Sequence, residues 1–264
     1  MKLPRFLVLT VLTAVMLAGG QARALDPATT GVVLLHGKWG DPSGVRPIGA
    51  ALEAAGYTVE RPAMPWAGYR SYDKGYEGAM EEVAQAVARL RAKGLARVVV
   101  GGHSLGANGA LHFATLDPTL AAIILVAPAH SPEGRAASEA AAGSLQKARE
   151  MIAAGEGNDR ASFVDINTGG RSRNQNIPAN IYLSYYDPEG PAAMSLSAAG
   201  LKAGRVLWLA PSEDPTTRGF AALVAPRFPP TVKLDRVDVT ADHLGAPQAS
   251  AAAIVEWLNA LPTP

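Results

Sequence analysis

The chain has no cysteine. This excludes structural disulfides, a thiol nucleophile and thiolate metal sites, and it leaves an oxidising compartment acceptable. Neither sign of charge dominates: 24 Lys and Arg stand against 23 Asp and Glu, a formal net charge of +1. A near-neutral chain offers no electrostatic case for binding nucleic acid or an anionic membrane surface. There are only five histidines. No two of them stand at i, i+4 and no His-rich cluster occurs, so no catalytic metal is expected. The phosphate-cradling pattern Gly-x-x-x-x-Gly-Lys-Ser/Thr is missing too, so no nucleotide and no other cofactor is expected. The apolar run Phe6–Leu17 has 12 residues, short of the roughly 20 that span a bilayer. There is no internal repeat and no linker long enough to separate one domain from another. Nothing in the composition bears on oligomeric state.

Lys2 and Arg5 precede that apolar run, and Ala22-Arg23-Ala24 follows it before Leu25-Asp26. A positive start, an apolar core and an Ala-x-Ala exit make a secretory signal peptide over residues 1–24, with cleavage after Ala24. The alternative is an uncleaved anchor. Cleavage removes three positive charges and no acid, taking the formal charge from +1 to −2, and implies a periplasmic or secreted protein. At 48% hydrophobic residues, residues 25–264 suffice for one α/β domain stabilised by burial alone.

The most informative stretch is Val98-Val99-Val100-Gly101-Gly102-His103-Ser104-Leu105-Gly106. Three valines bounded by glycines predict a short buried strand. The small-residue run Leu105–Leu116 that follows predicts a helix. At their junction stands Gly102-x-Ser104-x-Gly106. A strand that turns directly into a helix strains the serine backbone and needs small neighbours, so that strand and helix can approach. The serine hydroxyl is then raised above the sheet edge, where helix-start N–H groups point at whatever it attacks. The alternative is an ordinary flexible turn.

Two further apolar runs, Thr30–Gly37 (closed by its glycine) and Ala122–Pro128, predict strands of a parallel sheet covered on both faces. With Tyr57–Arg61 as a strand and helices after Ser43 and over Met80–Leu90, the order is that of a doubly wound sheet. From about 130 to 204 the rhythm breaks. A helix is expected over Gly134–Ala154, a hairpin around Phe163–Asn167 and Gly169-Gly170, and a helix over Asn180–Tyr186. This segment reads as an insertion covering the active-site end of the sheet. Strands resume at Arg205–Ala210 and Thr231–Val239, and an amphipathic helix over Ala251–Leu261 closes the chain.

A serine hydroxyl is a poor nucleophile near pH 7 and needs a base within hydrogen-bond reach, itself held by a third group. In open parallel sheets such groups gather at the carboxyl ends of the strands. His243 follows the last expected strand and Asp214 the strand before it. The alternatives are His130 as base and Glu213 as carboxylate. His36, His103 and His112 read as structural, and Asp242 as a turn former.

Leu35-His36-Gly37, Gly102-His103-Ser104-Leu105-Gly106, Glu213-Asp214-Pro215 and Asp242-His243-Leu244-Gly245 together resemble the α/β-hydrolase superfamily, of the serine esterase/lipase type, over essentially the whole of residues 25–264. The resemblance implies a mostly parallel doubly wound sheet with helices on both faces and a small cap insertion. It implies Ser104 as nucleophile, His243 as general base and then acid, and Asp214 as the carboxylate orienting the imidazole. The backbone N–H groups of Leu105 and Lys38 would form the oxyanion hole, Lys38 being preferred to Trp39. The Lys38 side chain reads as a solvated loop residue with a weak pull on anionic substrates. Trp39 is a candidate substrate-binding wall or an interfacial core residue. The expected function is hydrolysis of a carboxylic ester, thioester or amide of a small molecule through an acyl-enzyme. The alternatives are an acyltransferase or perhydrolase, and a catalytically silent binding protein.

Overall fold

A computed structural model describes residues 25–202 and 204–262. The leader expected over residues 1–24 lies outside them. The elements in chain order are β1 (Thr30–Leu35), α1 (Arg46–Ala54), β2 (Thr58–Glu60), α2 (Tyr76–Ala92), β3 (Arg97–His103), α3 (Leu105–Leu116), β4 (Ala122–Val126), α4 (Arg135–Ala153), β5 (Arg160–Ile166), β6 (Ser172–Pro178), α5 (Ala179–Tyr186), α6 (Met194–Gly200), β7 (Gly204–Pro211), α7 (Thr216–Leu223), β8 (Val232–Val239) and α8 (Ala246–Ala260).

Six strands form one sheet in the order β2-β1-β3-β4-β7-β8, and every pair in it is parallel. The apolar runs explain this arrangement. Residues alternate between faces along a strand, so a strand that is apolar throughout must be covered on both sides. Val33, Val100, Ile123 and Val206 stand opposite one another across four strands, on the face that packs with residues of α2, α3 and α4. Their neighbours Val32, Val99, Ile124 and Leu207 lie on the other face, with residues of α1 and α8. The edge strand β8 alternates between buried or half-buried and exposed positions over much of its length, as a half-covered edge requires.

All parallel strands point one way, so the segments after β1, β3, β4, β7 and β8 emerge along a single rim. The hairpin β5–β6 pairs antiparallel from Arg160 opposite Pro178 to Ile166 opposite Ser172. Aromatic contacts fasten it and α5 to the body. Phe163, Tyr182 and Tyr186 form a stack with centroids 4.6 Å and 4.5 Å apart. Tyr185 meets Trp66, Tyr72 and Tyr76 edge-on.

Of the elements that differ from the sequence reading, three differ for an identifiable physical reason. A single turn of 3-10 helix over Pro42–Val45 precedes α1, and Asp41, not Ser43, caps it by accepting the Ser43 N–H. Helix α8 starts five residues early because Pro247 falls in its first turn, where no amide donor is needed. Helix α7 is only eight residues long, and its start follows Asp-Pro, which reads as a loop. It forms with Asp214 Oδ1 accepting the Thr216 N–H at 2.9 Å. Among the described residues no helix is long and apolar enough to cross a membrane.

Candidate active site

Ser104 connects β3 to α3 with φ 57° and ψ −121°. A non-glycine residue at positive φ is strained, and such strain concentrates at functional sites. The two flanking glycines make the turn feasible. A Cβ on Gly102 would collide with the Gly106 carbonyl, and one on Gly106 would collide with the Leu35 carbonyl. The strand, the helix and the neighbouring β1 therefore approach as closely as bare backbone allows. The turn is locked further by the Ser104 N–H donating to the Val126 carbonyl at 3.0 Å.

The loop after β8 brings His243 to this serine. Its Nδ1 lies 2.6 Å from Asp214 Oδ2 and its Nε2 lies 2.9 Å from Ser104 Oγ. A carboxylate only accepts, so Nδ1 carries the proton and Nε2 accepts the Ser104 O–H. Three residues separated by 110 and 29 positions thus form one continuous hydrogen-bonded chain. Thr216 supports the carboxylate from the other side: its Oγ1–H donates to Asp214 Oδ2 at 2.6 Å, while its N–H donates to Oδ1. Burial pushes the Asp214 carboxyl up, but the bonds from His243 and Thr216 outweigh it and hold the group below its ordinary value. It stays ionised opposite the imidazole.

The loop after β1 completes the rim. Among the described residues, the backbone N–H groups of Lys38 and Leu105 make no hydrogen bond, whereas that of Trp39 donates to the Trp66 carbonyl at 3.0 Å. The Lys38 side chain departs from the expected solvated loop residue. It is buried, and its Nζ lies 2.9 Å from Asp165 Oδ1, 2.6 Å from the Ile166 carbonyl, 2.9 Å from Tyr186 Oη and 3.1 Å from His130 Nδ1. Its three N–H donors thus find acceptors on the hairpin, on α5 and after β4, which offsets its desolvation. Trp39 also turns away from the role of a substrate wall. Its indole N–H donates to Asp165 Oδ2, and the Arg173 guanidinium covers its ring at 4.3 Å. It packs the loop after β1 against the hairpin.

The other candidates are occupied elsewhere. His130 Nε2–H donates to the Tyr185 carbonyl at 2.8 Å while Nδ1 faces Lys38, so it is no rival base. Burial and the Lys38 charge lower its pKa to about 3. His103 lies beside the His243 ring and donates from Nε2 to the His243 carbonyl at 2.8 Å. Burial and His243 lower it to about 4. His36 Nε2 accepts the Met64 N–H at 3.0 Å and so braces the loop after β1. His112 meets Ser197 Oγ at 3.1 Å. Glu213 is exposed, and Asp242 accepts the Gly245 N–H at 2.7 Å within its turn.

Asp165 escaped the sequence reading, although one signal was there. It shares a strand face with Phe163, two residues away, so its carboxylate must enter the same buried layer. Thr216 carried no such signal.

A cleft of about 960 Å³ opens over Ser104, Leu105 and Lys38. One wall is the start of α4, including Ala136, Ala137 and Ala140, and the other is α7, including Gly219, Phe220 and Leu223. The hairpin residues Val164 and Ile166 close it above.

Comparison with known proteins agrees with this architecture. A monoacylglycerol lipase from Paleococcus ferrophilus superposes with a TM-score of 0.61 at 20% identity, covering 88% of this chain and 95% of that one. Est1E from Butyrivibrio proteoclasticus, solved with ferulic acid bound, gives 0.58 at 14% identity, covering 89% and 88%. A thioesterase domain from the curacin biosynthetic pathway gives 0.52 at 14% identity, covering 88% and 92%. At these identities the likeness is one of fold. A search of curated proteins returned no match. The model of the alpha/beta hydrolase family matches residues 32–259, most of the chain, and the protein belongs to that family.

Proposed function

We propose that this protein is a serine hydrolase that cleaves a carboxylic ester through an acyl-enzyme, and that its N-terminal leader directs it to the periplasm or the exterior. The observation that carries the reading is the unbroken bond chain Ser104 Oγ–His243 Nε2 and His243 Nδ1–Asp214 Oδ2, at 2.9 Å and 2.6 Å, on a strained strand-to-helix turn. Ser104 Oγ attacks the ester carbonyl carbon while its proton passes to His243 Nε2. The new O–C bond makes a tetrahedral oxyanion facing the N–H groups of Lys38 and Leu105. One such donor is worth about 10²–10³ in rate. Collapse breaks the bond to the alcohol oxygen, which takes the proton from Nε2. Water then repeats the sequence, delivering its proton to Nε2 and releasing the acid and free Ser104. The monoacylglycerol lipase among the structural relatives is named for the same bond type.

The test is Ser104→Ala. Turnover of p-nitrophenyl butyrate is expected to fall at least 10³-fold with an unchanged melting temperature, and covalent labelling of the wild type by a fluorophosphonate is expected to disappear. A variant that keeps wild-type turnover rejects the proposal. Folded wild type that takes up no label favours a silent binding protein.

A further inference from the structure

Taking Ser104 as the acyl acceptor, we infer that the cleft between α4 and α7 is an acyl pocket for long, uncharged, apolar acyl groups, and that the alcohol leaves on the opposite side, past His243. Two observations meet here. The first concerns which catalytic groups face the cleft. Ser104 and the oxyanion-hole residues Lys38 and Leu105 line it, whereas His243 stands outside its lining. The group that protonates the leaving oxygen must lie on the leaving group's side. With the carbonyl carbon at Ser104 Oγ and its oxygen toward Lys38 and Leu105, the substituent pointing away from the imidazole is the acyl chain, and it enters the cleft. The alcohol lies near the exposed Leu244, over an open stretch of the rim.

The second observation concerns the walls. About 960 Å³ is at the upper end for a small-molecule site. Ala136, Ala137, Ala140, Gly219, Val164 and Ile166 leave that space wide and apolar. The ammonium in the lining is Lys38, and Asp165 neutralises it at 2.9 Å. Arg135, also in the lining, sits at the exposed edge of the cleft with its side chain 91% exposed and pairs with Glu139 at 2.8 Å. Glu133 adds a carboxyl that accepts the Ser195 N–H. No free cation among these residues welcomes an acyl chain ending in a carboxylate, and Glu133 repels one.

The experiment uses two ester series on the wild-type protein. In the first, p-nitrophenol is constant and the acyl group runs from acetate through butyrate to octanoate, with p-nitrophenyl hemisuccinate as the anionic comparison. In the second, the acyl group is octanoate and the alcohol runs from methanol to octanol. A buried methylene contributes about fourfold. kcat/KM is therefore expected to rise at least tenfold from acetate to octanoate, to fall below the butyrate value for the hemisuccinate, and to change less than about threefold along the alcohol series. Gly219→Phe fills the cleft from α7, at a position where an added Cβ meets nothing within 4 Å. Ala137→Phe fills it from α4. In each variant the octanoate-to-acetate ratio is expected to collapse by about tenfold or more, with thermal melting confirming the fold. A wild type that is labelled at Ser104 and hydrolyses acetate, but shows a flat acyl series, a steep alcohol series or a preference for the hemisuccinate, overturns the pocket alone. A wild type that hydrolyses no ester and takes no label overturns the serine hydrolase reading, and the pocket with it.

Discussion

Lys38 Nζ and Asp165 Oδ1 lie 2.9 Å apart with their side chains 2% and 1% exposed, joining the loop after β1 to the β5–β6 hairpin. Trp39, the next residue, donates to the other Asp165 oxygen. One carboxylate therefore holds two successive residues of the loop, one of which offers its backbone N–H to the cleft. Removing one member of a buried pair leaves an uncompensated charge and costs about 3–5 kcal/mol, more than the pair itself contributes. Asp165→Asn is expected to destabilise the protein by about that amount in urea denaturation and to lower kcat more than it raises KM. Lys38→Met combined with Asp165→Asn is expected to recover much of the lost stability, because no buried charge is then left alone. Losses that simply add in the double variant contradict the pairing.

The carboxylate that faces His243 makes a different contribution. Asp214 fixes the Nδ1–H tautomer, so that Nε2 is free to accept the Ser104 proton. Asp214→Asn keeps the shape and reverses that tautomer preference, and kcat for p-nitrophenyl butyrate is expected to fall about 10⁴-fold. Glu213→Gln, one residue away and exposed, is expected to change kcat less than twofold. Equal losses in the two variants would mean that the wrong carboxylate orients the imidazole.

These residues also mark how far the sequence alone reaches. Strands β1, β3 and β4 were legible because chains of valine, isoleucine and leucine have no polar face to turn outward. Ser104 was legible because its two glycines sit where a strand meets a helix. Asp214 and His243 could be sought at strand ends once the sheet was parallel. The partner of Lys38 could not be read in the same way. It lies 127 positions away on a hairpin whose docking depends on aromatic stacking, and stacking has no period along the chain. Surface lysines far outnumber buried ones, so a loop lysine reads as solvated until its acceptors are seen. Helix α7 escaped because it is only eight residues long and its start is shaped by the Asp214 side chain.

Burial lowers four histidines, His36, His103, His112 and His130, and the strongly depressed His103 and His130 contribute most to the response to acid. Burial and Lys38 bring His130 to about 3, with Asp165 opposing. Burial and His243 bring His103 to about 4, with Asp214 opposing and His36 adding to the depression. Unfolded, both titrate near 6.5. Between about pH 6.5 and pH 4 the unfolded chain binds more protons than the native one, so stability is full above that window and declines as pH falls through it. At pH 5 each histidine is expected to cost about 2 kcal/mol. Asp165 and Asp214, whose carboxyls are depressed, add their losses only below about pH 4. Urea denaturation at pH 7.5 and pH 5.0 measures the sum. His130→Asn tolerates the positive φ of that position and is expected to shrink the difference by that residue's own share, about 2 kcal/mol. A stability equal at the two pH values would contradict the buried neutral state.

Two glycines in helices are expected to respond in opposite directions to the same substitution. A Cβ at Gly106 would overlap the carbonyl of Leu35 on the adjacent strand. Neither backbone can retreat without opening the turn that carries Ser104. Gly106→Ala is therefore expected to lower stability by at least about 2 kcal/mol, typical of overpacking at a site with no give, and to cut turnover of p-nitrophenyl butyrate sharply even where the protein still folds. Gly143 lies within α4, and an added Cβ there meets nothing within 4 Å. Alanine at that position reduces the freedom of the unfolded chain and improves helix propensity, so Gly143→Ala is expected to gain about 0.5–1 kcal/mol with turnover unchanged. Melting curves of the two variants beside the wild type decide the matter. A Gly106→Ala protein as stable as the wild type would mean that strand and helix do not approach as closely as the elbow requires, and the strained geometry assigned to Ser104 would fail with it.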